Sequence, residues 1–411
     1  MTIHSNCALA VACGIGAIST AQVCNPTSID AAVEQTLADF PSLLEGACLL
    51  VGDADGILYE GYFGSYGPET SIPLASASKL ISAVAVMTLI DSDAIDPHAP
   101  IVEYLPEMFA YSRAGLIKPM MTVDEMYSMT SGLSGDAGDT ILSDLSLTLE
   151  EAVDLIATTV VPAALPGNEL NYSGLGMHTT GYLCEVISGM PFDAFYRETV
   201  SVPLNTPSIA WDGLGETQNF RPSGGGASNA RDYGRVLRML SRGGELDGVR
   251  LLSPEAVESM YAERTVGLPY GDVPADAARY GWGYAFGQWV EHRDDQGNPT
   301  VLTSPGAFGT SPWIDLEDGY WGVFMVDGIG ALVRDHFFEI REAVEQQIIH
   351  AECTPCQIDF NHDGVLDLND IAAFSIFGQS GDRRGDLTGD EVFDLADIAR
   401  FIETFTAGCL L

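Results

Sequence analysis

Three serines and a lysine stand within one short stretch, PLASASKLISAV, where Ser76, Ser78 and Ser82 surround Lys79. The chain holds only two lysines in 411 residues, Lys79 and Lys118, so this pairing is not a product of abundance. A serine hydroxyl becomes a nucleophile when a neighbouring base takes its proton, and lysine can be that base once burial or positive charge lowers its pKa from about 10.4. On a helix, residues three apart share a face and long side chains lean toward the N-terminus, which sets Lys79 back over Ser76. Ser78 points elsewhere. Ser82 is also three residues away, but it sits a turn deeper, where its hydroxyl is expected to bond back to a helix carbonyl. Ser76 falls in the first helical turn, whose free backbone N–H groups can hold a developing oxyanion. The apolar run LISAVAVMTLI supplies the burial that Lys79 needs. Read alone, SASK also fits an ordinary helix cap with its lysine reaching out to water.

A second chemistry lies in the tail. DFNHDGVLDLNDI at 359–371 and DLTGDEVFDLADI at 386–398 repeat one acidic spacing, each followed by an apolar helical stretch. The first copy places oxygens at loop positions 1, 3, 5, 9 and 12, on Asp359, Asn361, Asp363, Asp367 and Asp370. Gly364 at position 6 permits the sharp turn, and the position 7 carbonyl of Val365 adds a ligand. The second copy offers Asp386, Thr388, Asp390, the carbonyl of Val392, Asp394 and Asp397, with Glu391 where the glycine would be. Hard oxygens at this spacing predict Ca2+ binding.

These groups need elements to position them. Before the serine cluster the pattern predicts a helix at 29–42, then a hairpin around Asp55-Gly56, and the spacing from Leu80 to Leu89 fits a buried helix. Residues 100–270 read as mostly helical, with Gly224-Gly225-Gly226 marking a turn. From Gly281 strand patterns return, in YGWGYAFGQWVEH, VLTSPGAFGTSPWID and YWGVFMVDG, followed by an amphipathic helix at about 333–350. Strands at both ends with helices between them predict one α+β domain over 28–350, whose sheet joins the two ends, and a small helical module over 353–411.

With 46% hydrophobic residues the chain can bury a large core. Its net charge of −40, from 58 acidic against 18 basic residues, repels phosphate backbones, so no nucleic-acid partner is expected. The apolar run Cys7 to Ile18, followed by Ser19-Thr20-Ala21, reads as a signal peptide cleaved after Ala21 and predicts a secreted or periplasmic protein with no transmembrane segment in the mature chain. Cys24, Cys48, Cys184, Cys353, Cys356 and Cys409 would remain, an even number that permits disulfides, and a staple from Cys356 to Cys409 would bracket the module. No GxSxG elbow is present, and His178, His292 and His336 have no triad context.

The blocks SASKLISAVAVMTLIDSDAIDPHAPIVEYLPEM, MTVDEMYSMTSGL, LPGNELNYSGLGMHTTGYLCEVISGMPFDAFY, GGGASNARDYGRVLRMLSRGGELDGVRLLSPEAVESM and SPGAFGTSPWID occur in the order of the serine β-lactamase-related family, which the chain resembles from about 30 to 350. That family includes class C β-lactamases, D-alanyl-D-alanine peptidases and esterases similar to them. The resemblance implies an α/β sandwich, an antiparallel sheet flanked by helices, with the active site between the sheet and a helical region. It implies Ser76 as nucleophile and Lys79 as its base. The family's Tyr-x-Asn motif falls on Tyr172-Ser173-Gly174, making Tyr172 the proton relay to the leaving group. Its third motif falls on Ser304-Pro305-Gly306, so the N–H of Ala307 would join that of Ser76 as the oxyanion hole. Gly174 lacks the amide that would bond the lysine and a substrate carbonyl, and Ser304 lacks the cation that would grip a substrate carboxylate. Both departures favour neutral esters or amides over β-lactams and D-alanyl peptides, with no cofactor needed for catalysis. A binding protein that retains the fold without catalysis is the alternative of a different class. The duplicated loops at 357–405 resemble the dockerin family, which implies Ca2+-ordered helices and a cohesin-like protein partner.

Overall fold

The computed structural model describes residues 28–110, 117–135, 139–349, 358, 360, 368–380, 385, 387–388 and 392–407. The segment read as a signal peptide, Cys24, Cys353, Cys356 and Cys409 lie outside these residues. So do the loop positions Asp359, Asn361, Asp363, Val365, Asp367, Asp386 and Asp390. The chain divides into two units: 30–341, and a second comprising 342–411 with the residues up to Ile29.

In the larger unit the expected hairpin forms β1 (Gly46–Asp53) and β2 (Ile57–Gly64), turning where the Asp53 carboxylate accepts the backbone N–H groups of Asp55 and Gly56. The late strands are β3 (Gly283–Tyr284), β4 (Trp289–Arg293), β5 (Pro299–Thr303), β6 (Gly309–Asp315) and β7 (Tyr320–Asp327). They join the hairpin in one sheet of order β2-β1-β7-β6-β5-β4-β3. The assigned ladders are antiparallel, and β1 meets β7 with Leu50 opposite Val323. β1 and β7 are apolar and buried along almost their whole length, because helices cover the sheet. One of these is α5 (Ala230–Ser241), capped by Asn229, whose side chain accepts the Asp232 N–H at 2.8 Å.

The helical region holds α2 (Ser78–Asp91), α3 (Leu149–Thr159) and α4 (Leu175–Ser188), with the short α6 (Ala275–Tyr280) before β3. From its first residue through Met87, α2 is buried on all sides rather than along one face. Thr148 and Glu151 form a capping box at the start of α3. Its other end is closed by Lys118, fully buried, whose Nζ donates to the carbonyls of Ile156, Ala157 and Val160. Helix α1 (Ile29–Asp39) precedes β1, and α7 (Gly330–Val344) follows β7. The expected α+β architecture is therefore present: an antiparallel sheet flanked by helices, beside a helical region.

Cys48 and Cys184 are buried free thiols, which removes both from any disulfide scheme. Burial pushes the Cys48 thiol up to about 12, so neither reactivity nor pairing is favoured there.

The described part of the second unit contains α8 (Leu368–Ser380) and α9 (Leu395–Ala407) around a core of Ile358, Phe374 and Phe401. The Phe374 and Phe401 rings stack with centroids 4.3 Å apart. The two position 12 carboxylates, Asp370 and Asp397, are fully buried and fold back in the same way. Asp370 accepts the N–H of Phe360, and Asp397 accepts that of Leu387, each at 2.9 Å. Asp397 also accepts from the N–H and hydroxyl of Thr388 and from the N–H of Asp394. Among the described residues no helix is long and apolar enough to cross a membrane.

Candidate active site

Ser76 lies in a 3-10 turn, Ala75–Ala77, immediately before α2 rather than inside its first α-helical turn. Ala75 holds φ at +47°, a left-handed conformation that an alanine adopts only when its surroundings impose it. The surroundings are tight: a Cβ on Gly306 would fall 2.2 Å from the Leu74 carbonyl oxygen, so the loop after β5 packs directly on the chain entering the turn. Only glycine allows this approach.

The three serines separate as the helix geometry predicts. Lys79 Nζ donates to Ser76 Oγ at 2.9 Å. Ser82 Oγ bonds back to the Lys79 carbonyl at 3.0 Å, and Ser78 Oγ accepts the Gly226 N–H at 2.9 Å, both buried away from the cavity. Lys79 is 4% exposed. Burial holds its pKa well below the ordinary lysine value, and the charge of Arg221 pushes the same way.

Tyr172 reaches this point from a different element. Its N–H donates to the Asp272 carbonyl at 2.7 Å, while the preceding Asn171 N–H donates to Met129 at 2.8 Å, which pins the segment before α4. Lys79 Nζ sits 4.6 Å over the Tyr172 ring, and Trp289 stacks on that ring with centroids 5.0 Å apart and planes 21° apart. Burial raises the phenol to about 12, while interaction with Ser76 and the charges of Arg221 and Arg334 oppose the rise.

Two lobes open from Ser76 and Tyr172. The first, about 190 Å³, is walled by Trp282, Trp289, Pro274, Ala277, Pro305 and Ala331 and also bounded by Gly306 and Ala307. The N–H of Ala307 donates to no group among the described residues, whereas its carbonyl accepts from Gly330 at 2.7 Å. Arg334 borders this lobe, but Asp276 pairs with it at 3.4 Å and its guanidinium donates to Ser311 Oγ at 3.1 Å. The second lobe, about 290 Å³, is polar, bounded by Lys79, Arg221, Ser223, Asp272, Gly135 and Gly174 with Leu142 beneath.

The structure changes the reading of two residues. Gly174 does leave Lys79 without a side-chain amide, but the backbone carbonyl of Ser223 accepts from Lys79 Nζ at 2.6 Å in its place. An amide would not fit there: a Cβ on Gly174 would lie 2.4 Å from Ser223 Oγ and 2.8 Å from a Leu142 methyl. Ser304 does not offer its hydroxyl to the cavity. It is 3% exposed and donates to the Ser76 carbonyl at 3.2 Å, supporting the turn from behind. His178 is a core residue at 0% exposure, held neutral because burial lowers its pKa to about 3, and His336 bonds Asp39 at 2.9 Å, so neither belongs to a triad.

Sequence reasoning missed Ser223, Arg221, Arg334 and the two tryptophans. Ser223 directly precedes the triple-glycine turn, and the tryptophans alternate with glycines in YGWGYAFGQW, signals of tight backbone and ring stacking that carry no catalytic signature by themselves.

The family model described as beta-lactamase matches residues 30–344. Esterase EstB of Burkholderia gladioli is 26% identical over 358 residues, covering 74% of this chain and 88% of EstB. The 6-aminohexanoate-dimer hydrolase of Paenarthrobacter ureafaciens is 25% identical over 301 residues, covering 69% of this chain and 74% of that enzyme. Among solved structures, a putative beta-lactamase from Bacteroides dorei DSM 17855 superposes with a TM-score of 0.66 at 22% identity, covering 76% of this chain and 98% of that one, and shows the shared fold. The chain, a serine hydrolase, belongs to the beta-lactamase family.

Proposed function

We propose that the protein is a carboxylic ester hydrolase that works through an acyl-enzyme. The observation that carries this reading is the 2.9 Å bond between Ser76 Oγ and a buried Lys79 whose pKa burial lowers, at the junction of two substrate-sized lobes. Neutral Lys79 keeps its donation to the Ser223 carbonyl and accepts the Ser76 proton as Oγ bonds to the ester carbon. The N–H groups of Ser76 and Ala307 hold the carbonyl oxygen as it becomes an oxyanion. The proton passes by way of Tyr172 to the departing alkoxide, and water then attacks the acyl-serine with the same groups in reverse order. The pairing of Arg334 with Asp276 supports neutral substrates, since it leaves no uncompensated cation from this pair in the apolar lobe. EstB, a relative named as an esterase, supports ester substrates.

The test is to assay the purified protein and Ser76→Ala on short-chain nitrophenyl esters and a chromogenic cephalosporin. Ester hydrolysis lost in the variant supports the reading. Cephalosporin turnover alone would reverse the substrate assignment toward β-lactamase or peptidase activity, and no serine-dependent turnover would favour a non-catalytic binding protein.

We also propose that the C-terminal module binds Ca2+. The buried Asp370 and Asp397, each folded back on the residue at loop position 2, support it, because a loop that wraps a cation must bring its twelfth position against its start. A cohesin-like partner for that module and export of the chain belong to the same proposal, supported by the duplicated loop spacing and the apolar N-terminal run.

A further inference from the structure

The hydroxyl of Ser223 borders the cavity and has no step in the mechanism. Ser223 is 2% exposed, borders the polar lobe, and its Oγ has no hydrogen-bond partner among the described residues. A buried hydroxyl left unpaired costs free energy, and at the edge of this lobe a ligand can supply the missing partner. Its position is set by Gly174: the hydroxyl sits only 2.4 Å from where a Cβ on that glycine would be, filling the space above the Tyr172-Ser173-Gly174 segment. Meanwhile the Ser223 carbonyl accepts from Lys79 at 2.6 Å, which holds the backbone of this residue against the base.

The opposite lobe has a complementary character. Its volume of about 190 Å³ exceeds the roughly 150 Å³ that suffices to hold a benzene ring in an apolar cavity. Trp282 and Trp289, whose centroids are 6.2 Å apart, form its wall. An ester carbon at Ser76 therefore sends one substituent toward indoles and the other toward a hydroxyl and a guanidinium.

We infer that Ser223 Oγ is a substrate-binding group, and that the enzyme's substrates are esters joining a ring-sized apolar group to a group that carries a hydrogen-bond-accepting oxygen near the carbonyl. This rests on the ester hydrolase reading. The apolar group lies in the Trp282–Trp289 lobe, and the oxygen of the other group accepts from Ser223.

The test uses two nitrophenyl esters, methoxyacetate and butyrate, that differ by an ether oxygen in place of one methylene. With the nitrophenyl ring in the indole lobe, the acyl group enters the polar lobe. The readout is the ratio of kcat/KM for methoxyacetate over butyrate, measured on the same protein, so that general losses of activity and differences in ester reactivity cancel between variants. Ser223→Ala is expected to lower this ratio about three- to tenfold, the loss of one neutral hydrogen bond. Gly174→Ala, whose methyl displaces the same hydroxyl, is expected to lower it in the same direction. An unchanged ratio in a folded Ser223→Ala protein that still hydrolyses both esters would overturn the inference. Absence of turnover in the unmodified protein would instead overturn the hydrolase reading on which it rests.

Discussion

Lys79 Nζ lies 4.6 Å over the ring of Tyr172, so the base and the proposed proton relay meet face to tip rather than hydroxyl to amine alone. Burial holds Lys79 below the ordinary lysine range, and it holds the phenol at about 12. The rate should therefore rise with pH as Lys79 loses its proton, at a pH below that of a free lysine, and should not fall again through tyrosine ionisation below about 12. A pH profile of kcat/KM checks this. A profile that rises only through the ordinary lysine range, about 10.4, would remove Lys79 as the base.

Substituting Gly306→Ala places a methyl group where the Leu74 carbonyl oxygen stands, 2.2 Å away. The loop carrying Ala307 must then lift from the turn carrying Ser76, separating the two proposed oxyanion donors. We expect kcat/KM to fall on the order of 10²-fold with little loss of secondary structure, since one lost donor costs about that much. Kinetics paired with circular dichroism would show it, and full activity in the variant would place the oxyanion donors elsewhere.

The second lysine holds the end of a helix. Lys118→Met leaves the carbonyls of Ile156, Ala157 and Val160 without their buried donor at the end of α3. The expected cost is roughly 2–4 kcal/mol, read by denaturant unfolding, with the folded variant retaining its ester kinetics. A stability change below about 0.5 kcal/mol, the usual range for surface substitutions, would contradict the assigned role.

His178 makes stability depend on acid. Its pKa falls from 6.5 to about 3 on folding, so between those values the unfolded chain binds the proton and the folded chain does not. The contribution is fully present above pH 6.5 and is lost as pH falls toward 3, by several kcal/mol as an order of magnitude. His178→Met should flatten the dependence of Tm on pH across that window, and an unchanged slope would exclude the histidine as its source.

For the C-terminal module, titrating the full chain with Ca2+ should release or absorb heat and raise its thermal stability, by about 2.7 kcal/mol at one hundred times Kd. Asp397→Ala, which removes the buried carboxylate that accepts from the N–H groups of Leu387 and Asp394, should weaken that binding. Neither heat nor a shift in Tm at millimolar Ca2+ would end the calcium proposal.

Much was legible in the residues alone. Ser76 and Lys79 share a local helix segment, and their relation follows from periodicity, which acts over a few residues and needs no distant partner. The β1–β2 hairpin and the alternating late strands were equally readable, because turn residues and period-two patterning are local signals. The resemblance carried Tyr172 and Ala307 to the same place without geometry. What only the tertiary structure decided is what surrounds them. Ser223 lies 144 residues from Lys79, and Trp289 comes from a strand beyond the whole helical region. The meaning of Gly174 as space for Ser223 and Leu142, and the turning of Ser304 onto the Ser76 carbonyl, depend on close contacts between distant segments. Such contacts arise only when segments far apart in the chain pack against one another. A hydroxyl's hydrogen-bond partner and a lysine's desolvation are properties of that packed environment, so residue type alone could not assign them.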